Sequence, residues 1–204
     1  MWPRTLLAMV VGCQLFAAPT LADDIKISGT GAAYGVLPLL QEAFAKAKAP
    51  STKLTPVLGS AGSIKAVGSN MLDVSISARS VNDEEKAQGL RSVEWCRTPF
   101  VLATPDQTPV SDLSLQQVAD IYNGKTKTWP DNSKIRLVVR PASDSDTTLL
   151  QSFSPAVAQA VTRSLGYEGV KMGVNDLDTV EALESIKGSL GQTALVLISK
   201  GKHK

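Results

Sequence analysis

The feature that most restricts what this chain can fold into is a unit that recurs along it, a short β-branched run followed by a segment of helical period. It begins with Ile25-Lys26-Ile27-Ser28, followed by apolar residues at helical spacing across 36–45. It returns as 54–58 with 63–67, as 74–78 with 83–88, and as 135–139 with 147–153. Strand then helix, repeated, predicts an α/β fold of mainly parallel sheets flanked by helices. Local punctuation agrees. Ser114 with Gln117 spells a capping box opening a helix through Tyr122, with Gly124 just past its end. Ser154-Pro155 opens a second helix that Gly166 stops, and Asp178 with Glu181 opens a third. The apolar run 193–198 reads as a buried strand. The polar stretch 105–112 holds Pro105 and Pro109 between two groups of units, so it is the expected crossing between a first lobe over 23–104 and a second over 113–204.

The N-terminus sets the expected compartment. Arg4 precedes an uncharged run to Ala22, and Thr20-Leu21-Ala22 offers small residues ahead of Asp23, the pattern of a secretory signal peptide cleaved after Ala22. A periplasmic or secreted protein follows. A retained anchor and a lipoprotein attached through Cys13 are the competing readings. Cleavage would remove Arg4 from the 21 basic residues, leaving 20 against 19 acidic ones, with Cys96 as the one cysteine and hence no intramolecular disulfide. A near-neutral chain lacks the basic excess needed to bind a phosphate backbone, so nucleic acid is not an expected partner.

Chemistry is constrained by what is scarce. The single histidine is His203 in the basic tail, which leaves no Ser-His-Asp or Cys-His arrangement and no zinc ligand set. The turn Gly59-Ser60-Ala61-Gly62-Ser63-Ile64-Lys65 lacks the spacing of a nucleotide phosphate loop. No enzyme, metal or cofactor is expected. Three Gly/Ser-rich turns between a strand and a helix do suit a compact anion, because a helix start presents unpaired amides and partial positive charge. They are Ser28 to Tyr34, Gly59 to Ser63, and Arg140 to Thr148. In the last, an arginine at a strand end suits bidentate binding of an oxyanion. Each has a structural alternative: a glycine turn, a cap by Ser60 or Ser63, and an Arg140 paired with Asp144 or Asp146 while one of Asp144, Ser145 or Asp146 caps the helix. Their joint occurrence points to a cleft between lobes.

These stretches resemble the phosphate-binding proteins of ABC transporters, within the type II periplasmic binding protein fold. Residues 28–34 look like that family's Gly-Ala-Gly-Ala-Thr-Phe loop, 59–65 like its Gly-Ser-Ser-Gly-Gly-Val-Lys turn, and 73–79 like a strand ending beside the ligand. Residues 110–129, through Asn123-Gly124-Lys125 to Trp129, are the most specific match, and Gly188 to Gly191 with the last strand also match. The resemblance implies a two-lobe fold and ligand contacts from Ser60, the amides around Ala33 and Tyr34, Ser145, and Arg140 as main cation. Ala33 replaces the family's threonine, and Ala78 followed by Arg79 replaces its acidic proton acceptor, which places Arg79 among the candidates. Asp144 and Asp146 replace glycines, one residue is inserted before Thr147, and either aspartate could supply the lost acceptor or turn outward as cap. The family returns to its first lobe after this last strand. Here the chain ends at Lys204, which implies a small first lobe or a shortened product.

The expected function is a monomeric solute-binding protein that captures a small oxyanion such as phosphate and serves an ABC-type membrane permease. The alternative is a sensory or adaptor domain of the same fold that recognises a protein partner or a solute other than phosphate.

Overall fold

The computed structural model describes residues 23–199. The signal-peptide segment, Cys13 and the tail with His203 lie outside them. In chain order the elements are β1 (Ile25–Gly29), a 3-10 turn (Gly31–Gly35), α1 (Leu37–Lys46), β2 (Thr52–Leu54), α2 (Gly59–Gly68), β3 (Val74–Ile76), α3 (Asp83–Ala87), β4 (Phe100–Ala103) and α4 (Leu115–Tyr122). They continue as β5 (Arg136–Val139), α5 (Ser145–Gln151), α6 (Pro155–Ser164), β6 (Lys171–Met172), α7 (Asp176–Ser185), β7 (Ser189–Ala194) and α8 (Leu195–Ile198).

Two sheets result. The first has order β2-β1-β3 and is wholly parallel. The second has order β4-β7-β5-β6, in which only the β4–β7 pair is antiparallel. The α/β architecture of mainly parallel sheets expected from the repeated unit is therefore present.

Three local expectations need correction. The crossing between sheets precedes β4, over residues 77–99, because β4 already pairs with β7 in the second sheet; residues 105–112 lie after it. The apolar run 193–198 is not one strand, since β7 ends at Ala194 and the chain coils into α8. A short apolar run carries no period that distinguishes the two forms. The third helix starts at Asp176 rather than Asp178, because the Asn175 side chain accepts from the amides of Leu177 and Asp178 and outcompetes the later cap.

The second sheet buries most of the core. Val118, Tyr122, Trp129, Val139, Leu150, Val157, Val161 and Leu190 fill the space under α4, α5 and α6. Ala103, Val138, Leu183 and Ile198 form the cluster involving α7 and α8. The Ser114–Gln117 capping box is formed in both directions, and Gly124 has φ 69°, the left-handed stop that glycine allows. The first sheet is more thinly covered, and Met71 and Trp95 remain 70% and 52% exposed. The 3-10 turn leaving β1 packs against α7 and α8, so the first sheet's loop end meets the second lobe.

Candidate functional site

The meeting point is built from the carboxyl ends of β1 and β5, the position at which α/β sheets hold ligands. After β1 the chain enters Thr30 and Gly31. A Cβ on Gly31 would stand 2.7 Å from the Cβ of Asp176, so only glycine lets α7 come this close. The contact is direct. Asp176 Oδ2 accepts from Thr30 Oγ1 at 3.2 Å and from the Ala32 amide at 3.1 Å.

From the other side, Arg140 directly follows β5 and is 3% exposed. Its Nη2 donates to Asp144 Oδ2 at 2.5 Å, while its Nη1 stands 3.6 Å from Asp176 Oδ1. Asp144 has both of the roles that the sequence left open: it pairs with Arg140, and its Oδ1 accepts the Asp146 amide at 2.9 Å as the cap of α5. Asp146 turns its carboxyl toward Asp176. Burial first, then the charges of Asp176 and Asp144 and a hydrogen bond to Asp176, push its pKa up to about 7, against the opposing pull of Arg140. The site thus assembles one guanidinium, three carboxyl groups, a hydroxyl and a backbone amide.

The remaining sequence candidates are engaged elsewhere. The Ala33 amide closes the 3-10 turn on Thr30 O at 3.1 Å, so it is Ala32, not Ala33, whose amide faces the cluster. Tyr34 donates to the Thr55 carbonyl and, at 3.4 Å, to Ser28 Oγ. Ser60 Oγ accepts the Ala78 amide at 2.9 Å, tying α2 to the end of β3 within the first lobe. Arg79 is a bidentate partner of Glu85, at 2.7 and 2.8 Å, and that ion pair holds the Glu85 carboxyl down at about 2. Ser145 is the first residue of α5, beside Asp144. Asp176 is the residue that sequence reasoning missed. Its signal was available, because Gly173-Val174-Asn175-Asp176 is a fourth strand-to-helix turn of the same kind as the other three.

The acid cluster has a consequence for stability. Folded Asp146 keeps its proton up to about pH 7, whereas the unfolded chain releases it at the ordinary 3.8. The folded state binds more protons in that window, so its stability is full below 3.8 and is lost as pH rises through 7, by at most about 1.4 kcal/mol per pH unit. Asp146→Asn is expected to flatten this slope. Urea unfolding of both proteins from about pH 4 to 8 checks it, and parallel curves would refute it.

A family model described as a PBP superfamily domain matches residues 16–195. Among curated proteins, the phosphate-binding protein PstS 2 of Streptococcus agalactiae is 24% identical over 121 residues, 59% of this chain and 41% of that protein. The phosphate-binding protein PstS of Staphylococcus saprophyticus is 28% identical over 115 residues, 53% of this chain and 36% of that protein. The chain therefore spans less than half the length of either relative. Among solved structures, one assigned as the substrate-binding protein of a phosphate ABC transporter from Clostridium perfringens, with phosphate bound, aligns at TM-score 0.68 and 25% identity, covering 84% of this chain and 70% of that one. A phosphate-binding protein from Stenotrophomonas maltophilia aligns at TM-score 0.58 and 16% identity over 85% of this chain and 60% of its own, which speaks to the fold alone.

Proposed function

Because the chain belongs to the PBP superfamily, we propose that it is a solute-binding protein that captures a small oxyanion of the phosphate class between its two lobes and presents it to an ABC-type membrane permease. The observation that carries this is convergence. The Thr30 hydroxyl and Ala32 amide of the first lobe and the Arg140 guanidinium of the second all address one carboxylate, that of Asp176. A carboxylate is itself a small oxyanion, so these donors are already arranged for one. Arg140 Nε and Nη1 are buried with no hydrogen-bond acceptor, which leaves donor capacity for further ligand oxygens. Resemblance to phosphate-binding proteins supports the same ligand class.

On this reading the protein performs no chemistry on its ligand. Its work is closure of two lobes over a solute. Export follows from the N-terminal pattern and belongs to the same proposal. Among the described residues no helix is long and apolar enough to cross a membrane.

A ligand that binds only the folded state should add about 2.7 kcal/mol at a hundredfold excess over its dissociation constant. Thermal melting with inorganic phosphate, sulfate and molybdate, beside neutral sugars and amino acids, is expected to rise with one or more of the oxyanions. A rise with a sugar or amino acid and none with an oxyanion would overturn the reading.

A further inference from the structure

Asp176 comes from the second lobe, at the start of α7, yet two of its hydrogen bonds reach the first lobe, 146 and 144 residues away in sequence. It is 1% exposed, so the carboxylate sits inside the junction rather than at its rim. One oxygen takes the Thr30 hydroxyl and the Ala32 amide; the other lies nearest Arg140. That is how one edge of a bound oxyanion would be held.

The fit is incomplete. The Arg140 to Asp176 separation of 3.6 Å is too long for a hydrogen bond, and Arg140 Nε and Arg140 Nη1 are buried without an acceptor. Buried polar atoms left unpaired are costly, so this junction is held in an arrangement that a better-fitting anion would improve. Asp144 adds negative charge beside the same guanidinium, which weakens the hold of Asp176 on it.

We propose that Asp176 is an internal surrogate ligand, which occupies the anion seat and joins the two lobes in the absence of solute, and which an incoming oxyanion must displace. This rests on the oxyanion reading above and adds a regulation to it. Affinity is then reduced by the fraction of molecules in which the seat is free. A vacant seat also loses the Thr30 and Ala32 bonds that join the lobes through this side chain.

The test is calorimetric titration of the full chain with inorganic phosphate, comparing wild type with Asp176→Ala, which empties the seat. Asp176→Asn is the second variant; it keeps the shape and the Thr30 and Ala32 contacts but removes the charge that Arg140 faces. Asp176→Ala is expected to bind phosphate about tenfold tighter or more, the factor expected when the seat is free in about one molecule in ten or fewer. Asp176→Asn should fall between the two, and it decides the question if the alanine variant does not fold. Binding by the alanine variant alone also supports the proposal. If wild type binds phosphate and both variants bind equally or more weakly, Asp176 is a ligand contact or a structural residue; the surrogate role is then overturned while the oxyanion reading stands. If neither wild type nor a folded variant binds phosphate, sulfate or molybdate, it is the oxyanion reading that fails.

Discussion

Arg140→Ala is expected to lower folding stability by about 3–5 kcal/mol near pH 8, the usual cost of removing one partner of a buried ion pair. The side chain is 3% exposed and is the cation recorded beside Asp144, Asp146 and Asp176. Its loss leaves three carboxyl groups facing one another in a place that water reaches poorly. The sign of the pH dependence separates this from simple loss of packing. Without the guanidinium, whose charge opposes the rise, Asp146 holds its proton to still higher pH when folded, so the variant should recover stability on acidification, as protonation removes the repulsion. Arg140→Lys should recover only part of the loss, since an ammonium cannot bridge Asp144 and Asp176 as a planar fork does. Chemical denaturation of the three proteins near pH 8 and pH 5 measures all of this. A variant as stable as wild type at pH 8 would show that the cluster is solvated and that Arg140 does not hold it together. For an Arg140 that faces the cleft, the sequence leads one to expect loss of anion binding at little cost in stability; burial of the side chain reverses the second half of that expectation.

The second large effect is expected at Gly29, the last residue of β1. A Cβ there would stand 2.1 Å from the Ile76 carbonyl oxygen and 2.9 Å from the Ile76 Cβ. The obstructing atom is backbone, and that carbonyl accepts the Thr30 amide at 2.8 Å, so it cannot swing away without breaking the turn that carries Thr30. Gly29→Ala must therefore separate β1 from β3, and a loss of about 3 kcal/mol, the upper end of ordinary overpacking, is expected. It should also weaken anion binding, because Thr30 and Ala32 move with the turn. Gly62→Ala is the control. Gly62 lies inside α2 with its nearest obstacle, Leu58 Cβ, at 3.4 Å, so alanine there should be neutral or stabilising by about 0.5–1 kcal/mol. Equal melting temperatures for Gly29→Ala and wild type would refute the close approach.

The elements legible in the sequence are those whose cause is local. The Ser114–Gln117 box, the Ser154 cap ahead of Pro155 and the stop at Gly124 each involve residues within about one helical turn, so residue type and spacing suffice. The repeated strand-helix unit likewise specified parallel sheets, because parallel strands need a long crossover and the helix supplies it. β7 was hidden for the opposite reason. Its sequence Ser-Leu-Gly-Gln-Thr-Ala is polar, yet all six residues are buried, and Gln192 is accommodated by the Tyr122 hydroxyl, which donates to it at 3.1 Å. A polar strand in a core is stable only when distant partners satisfy it.

The candidate site divides along the same line. Sequence by itself determined that three strand-to-helix turns with small residues exist, that Arg140 ends a strand, and that Asp144 and Asp146 flank the next helix start. Which of these meet was decided by tertiary structure. Tyr34 and Ser60 are drawn into bonds within the first lobe, Arg79 pairs with Glu85, and Asp176, far along the chain, arrives at the Thr30 turn because Gly31 leaves it room. Side-chain direction at a loop is set by whichever polar partner burial brings within reach, and at a junction between two lobes that partner lies more than a hundred residues away.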